Sequence, residues 1–156
     1  MTENLAAYRS RAARALVLLH DKKMREFLGV WQRARASNVH LPATPDKHYQ
    51  SLEHLLWHVL NSSGQYMVRM CAHLGLPDPQ LEPVPSIENV EARAEAYLEH
   101  LLAWWRVPLA GVTNADMQPE IYTPGMHYWI DAMLEHAVMH PVRHTFQLRE
   151  LMTAQS

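Results

Sequence analysis

The stretch IDAMLEHAVMHPVRHTFQLRELM, running from Ile130 to Met152, decides how the rest of the chain is read. Met133, Ala137, His140, His144, Leu148 and Leu151 recur at heptad spacing, so the segment predicts a helix with one core-facing seam. Two histidines stand on that seam where a bundle normally places leucine. An unpaired polar group in such a position costs about 1–3 kcal/mol, so these imidazoles need partners. On one helix, residues four apart project about 40° from each other and about 6 Å apart along the axis, within reach of one divalent ion. Far upstream, His58 interrupts a similarly apolar run, Leu55-Leu56-Trp57-His58-Val59-Leu60, and could supply a third nitrogen. A plainer alternative stays open, in which these are core or solvated histidines bonded to carbonyls. The chain has 11 histidines, and His54/His58 and His136/His140 share the same spacing, so some pairs are accidental.

Working outward, three more segments carry helical periodicity. The first spans about Glu3 to Arg35, with Leu5, Tyr8, Ala12, Ala15, Leu16, Leu19, Met24, Phe27, Leu28 and Trp31 as its apolar side and Thr2 or Asn4 as cap. After Pro42 and Pro45, a second runs from about Asp46 or Ser51 to Leu74, with Gly75 as its stop. Leu76 to Pro85 holds too many prolines for a helix or a central strand and reads as an extended crossover. Ser86 is expected to cap a third helix, Ile87 to about Val107, which Pro108 halts. The fourth helix is expected to start near Pro124-Gly125, and Glu120-Ile121-Tyr122-Thr123 offers at most a short extended piece. Four amphipathic helices bury their stripes only against one another, so residues 1–156 predict a single all-α domain, a four-helix bundle.

Composition narrows the function classes. Net charge is −2 and the basic residues are scattered, which argues against nucleic acid or anionic lipid as partner. No run approaches the roughly 18 apolar residues of a membrane span, and Met1-Thr2-Glu3-Asn4 lacks the order of a secretory signal, so a cytoplasmic location is expected. A single cysteine, Cys71, excludes an internal disulfide and leaves metal ligation to histidine. Beside Met67 and Met70 it reads as a small core residue. No glutamate has a histidine three residues later and no His-Glu-x-x-His occurs, which disfavours di-iron and zincin chemistry. Covalent haem lacks its Cys-x-x-Cys-His. Trp104-Trp105 and Met126-His127-Tyr128-Trp129 could line a pocket, although aromatic residues at helix ends usually pack.

The two histidine segments also carry a resemblance. Leu55-Leu56-Trp57-His58-Val59-Leu60-Asn61 and His140-Pro141-Val142-Arg143-His144-Thr145-Phe146-Gln147 resemble the second-helix and fourth-helix motifs of the DinB/YfiT-like superfamily of small metalloproteins. That resemblance implies an up-down-down-up bundle with the long proline-rich crossover between helices 2 and 3, a homodimer, and one divalent metal held by His58, His140 and His144. Two departures stand out. Many members have Arg-Gly where this chain has Thr145-Phe146, and Pro141 falls between the paired histidines, where it removes a helical amide and predicts a kink.

Three nitrogen ligands leave coordination positions open, unlike closed structural zinc sites. The resemblance then implies a metal-dependent hydrolase, or a transferase using a low-molecular-weight thiol as co-substrate, acting on a small molecule. Gln147, Glu135 or Asn61 could orient the imidazoles, with His136 a neighbouring polar group rather than a fourth ligand. Zinc or nickel is the first expectation for the metal, with iron or manganese next. No residue declares itself a general base, so a non-catalytic metal- and ligand-binding stress-response protein is the competing expectation.

Overall fold

Serine hydroxyls open the first two helices. In the structure, a computed structural model describing residues 7–117 and 130–156, Ser10 accepts from the amide of Ala13 at 3.2 Å and starts α1 (Arg11–Ala36). Ser51 does the same for His54 at the start of α2 (Leu52–His73). A 3-10 turn, Lys47–Tyr49, precedes it, with Asp46 accepting from the amide of His48. The other two helices are α3 (Ile87–Trp105) and α4 (Ile130–Ala154). The protein is an all-α bundle, with no strand among the described residues. None of these helices is long and apolar enough to cross a membrane.

Several boundaries differ from the sequence expectation. The first helix starts after Ser10 rather than at Glu3, and the face it turns inward is also not the one expected. Ala13, Val17, His20, Met24, Phe27, Trp31 and Ala34 are buried, a strict four-three alternation that includes a histidine. Ala12 and Ala15 face solvent, and Leu19 is 44% exposed. Ser86 holds the cap position of α3, but its hydroxyl takes the side chain of Asn89 instead of a helix amide. Thr2, Asn4, Leu5, Glu120–Thr123, Pro124-Gly125 and the Met126–Trp129 cluster lie outside the described residues. Gly75 ends α2 as expected, at φ +66°, a conformation that a side chain would strain.

α1 packs most extensively along α4, while α2 is shared between α3 and α4. The interior is built on Trp31, Trp105, Phe27, Met24, Leu56 and Leu101, each at most 2% exposed. Both buried indoles find acceptors on α2: Trp31 Nε1 donates to the carbonyl of Leu52 at 2.6 Å and Trp105 Nε1 to that of Ser63 at 3.1 Å. The crossover between α2 and α3 is fastened by Trp104 Nε1 donating to Pro79 O and by the Tyr97 hydroxyl donating to Glu82 O. Leu81 from this crossover lies over Gly64, where a Cβ would collide with its Cδ2. Because only the end of a flexible side chain must yield, Gly64→Ala is expected to destabilise by about 1–2 kcal/mol. Urea unfolding should show the loss, and truncating Leu81 to Ala in the same chain should make the alanine at 64 less costly than in the wild type.

His20 is the least expected occupant of the core. Its ring is fully buried, stacks on Trp105 at 3.6 Å between centroids, and meets Ser63 Oγ through Nε2 at 2.9 Å. Its Nδ1 is buried with no hydrogen-bond partner. Burial outweighs the nearby Asp21 carboxylate and pushes the imidazole pKa down to about 3. The ring is therefore neutral at physiological pH, an apolar plate with one polar contact.

Candidate metal centre

His58 comes from α2 and His140 and His144 from α4, and the bundle brings the three rings to one place. Their ligand atoms all lie within 4.8 Å of one another. The Nε2 atoms of His58 and His140 are 3.1 Å apart, and the three ring planes stand at 71–87° to one another with centroids 4.8–5.7 Å apart. Ligands 2.0–2.1 Å from a tetrahedral ion lie about 3.3 Å from each other, so the closest pair already has the required spacing and the third ring is within reach of it.

The protonation pattern favours ligation. His144 donates through Nδ1 to Oε1 of Gln147 at 2.9 Å, because an amide oxygen can only accept. The proton is thereby held on Nδ1, and Nε2 carries a lone pair. That Nε2 is buried and has no hydrogen-bond partner in a residue only 1% exposed. Burial, reinforced by the neighbouring rings and Arg143, lowers the pKa of His140 to about 2. Burial also brings His58 down to about 4, with His48 and Arg143 adding to the effect. It lowers His144 to about 4 as well, against the opposing hydrogen bond to Gln147. All three are neutral at pH 7, the state in which imidazole binds a metal. A donor set of three neutral nitrogens with one buried, unpartnered lone pair fits a divalent ion.

Pro141 does not break α4, which runs continuously from Ile130 to Ala154 and buries the proline. The proline packs on the core, and Thr145 Oγ1 donates to its carbonyl at 2.7 Å.

The remaining sequence candidates are placed unequally. Gln147 touches the site through His144. His136 stacks on His140 at 6.5 Å, beside the cluster and not in it. Glu135 faces solvent, and Asn61 and Trp57 line a different cavity against the Asp78–Val84 crossover. Three rings absent from the sequence expectation surround the site. His48 lies 4.6 Å from His58, Tyr49 lies 5.7 Å from both His58 and His144, and Tyr66 lies 5.9 Å from His140. A usable signal for the first two was Asp46 just after Pro45, an acidic cap able to start a short turn and aim the next residues back at α2.

Compared with known protein families, with curated proteins and with solved structures, the chain matches none of them. The bundle and its three-imidazole cluster stand on this chain's own residues.

Proposed function

We propose that the protein is a metal-dependent enzyme of DinB/YfiT type, a hydrolase or a thiol-dependent S-transferase that acts on a small molecule in the cytoplasm. The observation that carries this reading is the gathering of one ring nitrogen from each of His58, His140 and His144 within 4.8 Å, with the Nε2 of His144 buried and unpartnered. The packing of α1 along α4 and the long crossover between α2 and α3 support the up-down-down-up arrangement.

His58, His140 and His144 would hold the ion, zinc or nickel before iron or manganese, and leave part of its coordination shell to solvent and substrate. When bound, such an ion supplies Lewis acidity, bringing the pKa of water or a thiol toward about 7 and polarising an acceptor group. Gln147 fixes the His144 ring in the ligating tautomer. Tyr49 and His48 pack against His58 from the side of the 3-10 turn. The exposed Arg143, one residue before His144, adds positive potential that favours an anionic nucleophile or leaving group.

Turnover of an ester, an amide or an electrophile plus thiol should require added zinc or nickel, vanish with chelator, and rise with pH as the nucleophile loses its proton. A metal-loaded protein that binds small ligands saturably, yet shows no rate above buffer on any of these substrates, would instead be a metal-dependent binding protein.

The same reading includes a two-fold homodimer. Met139 and Phe146 are 55% and 61% exposed on α4, a spacing that lets an antiparallel second α4 place its Phe146 on Met139 and its Met139 on Phe146. Phe146→Glu should convert a dimer of 18.0 kDa chains to monomer in sedimentation. A wild-type protein that sediments as monomer at micromolar concentration would reject the dimer.

A further inference from the structure

Beside the three imidazoles, between the C-terminal part of α4 and the loop following α1, lies an apolar cavity of about 440 Å³. That volume falls within the range of small-molecule sites. Leu41 and Pro42 form one wall, and Leu148 and Leu151 the other. Gln147 and Tyr49 also line it, and both touch the histidine cluster, Gln147 by its hydrogen bond to His144 and Tyr49 by ring contact with His58 and His144. Gln147 and Tyr49 thus stand between the histidine cluster and the cavity, which runs along α4 toward Ala154, about 15 Å from His144 at the helical rise.

The loop wall is fixed at both ends. Gln155 accepts from the amide of His40 at 3.0 Å and donates to its carbonyl at 2.8 Å, which clamps the loop to the end of α4. At the other end Asp46 accepts from His48 and anchors the turn that carries Tyr49. A loop held in this way can keep an apolar space open.

The two ends of the cavity differ in charge. At the histidine end it is lined by the uncharged Gln147 and Tyr49. Toward the far end stands Glu150, the only charged residue among those lining the cavity, and the last turn of α4 has no basic residue to offset its carbonyl dipoles. We propose that this cavity binds a small amphiphile with a metal-ligating group at the histidines, an unbranched apolar body along Leu148 and Leu151, and a neutral or cationic terminus beside Glu150. The ligating end rests on the metal reading given above; the apolar body and the preferred terminus do not.

Calorimetry of the full chain tests this. With zinc-loaded protein, octanehydroxamate should bind at least about fifty-fold more tightly than acetohydroxamate, because only the longer chain removes apolar surface from water in the cavity. An ω-amino analogue should bind about three- to fivefold better than its ω-carboxy counterpart, and Glu150→Lys should reverse that order. Ala154→Trp, which fills the far end, should cut the affinity for octanehydroxamate and spare acetohydroxamate. Leu41→Trp tests the same blockage from the opposite wall if the first variant unfolds. Equal affinities for the long and short hydroxamates on zinc-loaded wild type would overturn the cavity assignment while leaving the metal reading intact. A carboxylate terminus preferred by the wild type would overturn the assigned polarity. Should zinc not bind the histidines, octanamide added to chelated protein decides. Saturable binding lost in the blocked variants upholds the cavity, and absence of binding to wild type overturns it.

Discussion

His140→Ala is expected to lower zinc affinity at pH 7 by about two to three orders of magnitude, the share of one ligand in a typical protein-zinc binding free energy. His58→Ala and His144→Ala should do the same, since all three rings offer neutral nitrogens to one point. Elemental analysis of untagged protein after dialysis at a fixed free-zinc level is the direct measurement, and His73→Ala, an exposed residue near the end of α2, is a suitable control. Gln147→Leu should weaken binding by a smaller factor, about tenfold, because it frees the His144 proton to choose either nitrogen. Metal content unchanged in all three ligand variants would remove the proposed centre altogether.

The second large effect is on stability and comes from a different histidine. His20→Ala deletes a buried ring stacked on Trp105 and leaves the Ser63 hydroxyl without its partner, so it is expected to destabilise by about 3–4 kcal/mol. Zinc affinity of the folded variant should be unchanged, since His20 is not in the ligand cluster. A pH signature distinguishes this role from simple packing. The His20 pKa is about 3 in the folded protein against 6.5 for an unperturbed imidazole. Between those values the unfolded chain takes up a proton that the folded chain excludes. The contribution of the neutral ring is complete above pH 6.5 and is lost progressively as pH falls toward 3. The stability gap between wild type and His20→Ala should therefore narrow on acidification, by at most about 1.4 kcal/mol per pH unit inside that window. A gap that stays constant from pH 7 to pH 4 in urea unfolding would contradict the buried neutral imidazole.

The contrast between these histidines explains what the sequence disclosed. His140 and His144 were legible because they replace leucine in a seam otherwise marked by Ala137, Leu148 and Leu151. His20 was hidden for a related reason: reading only apolar residues as core drew the stripe of α1 through Ala12, Ala15 and Leu19. The buried seam instead passes through Ala13, Val17 and His20. The start of α1 went unread because Thr2 and Asn4 are as plausible caps by type as Ser10, and only the packed register distinguishes them. Tyr49 and His48 reach the site from a three-residue turn, too short to leave a periodic signal. Trp57, adjacent in sequence to His58, belongs to another cavity because neighbouring residues on a helix point in different directions.

Pro141 lies in α4 between His140 and His144, and the helix continues past it to Ala154. It offers no amide, so the carbonyl of Ala137 has no helical donor four residues later, and the ladder of main-chain bonds lacks one rung in the turn from Ala137 to Pro141. A helix thinned there can open in two parts, one on each side of the proline. An ion shared by both histidines and by His58 would tie these segments to each other and to α2. In hydrogen exchange, the amides on either side of Pro141 should then be protected to different depths in chelated protein and to a common depth once zinc is bound.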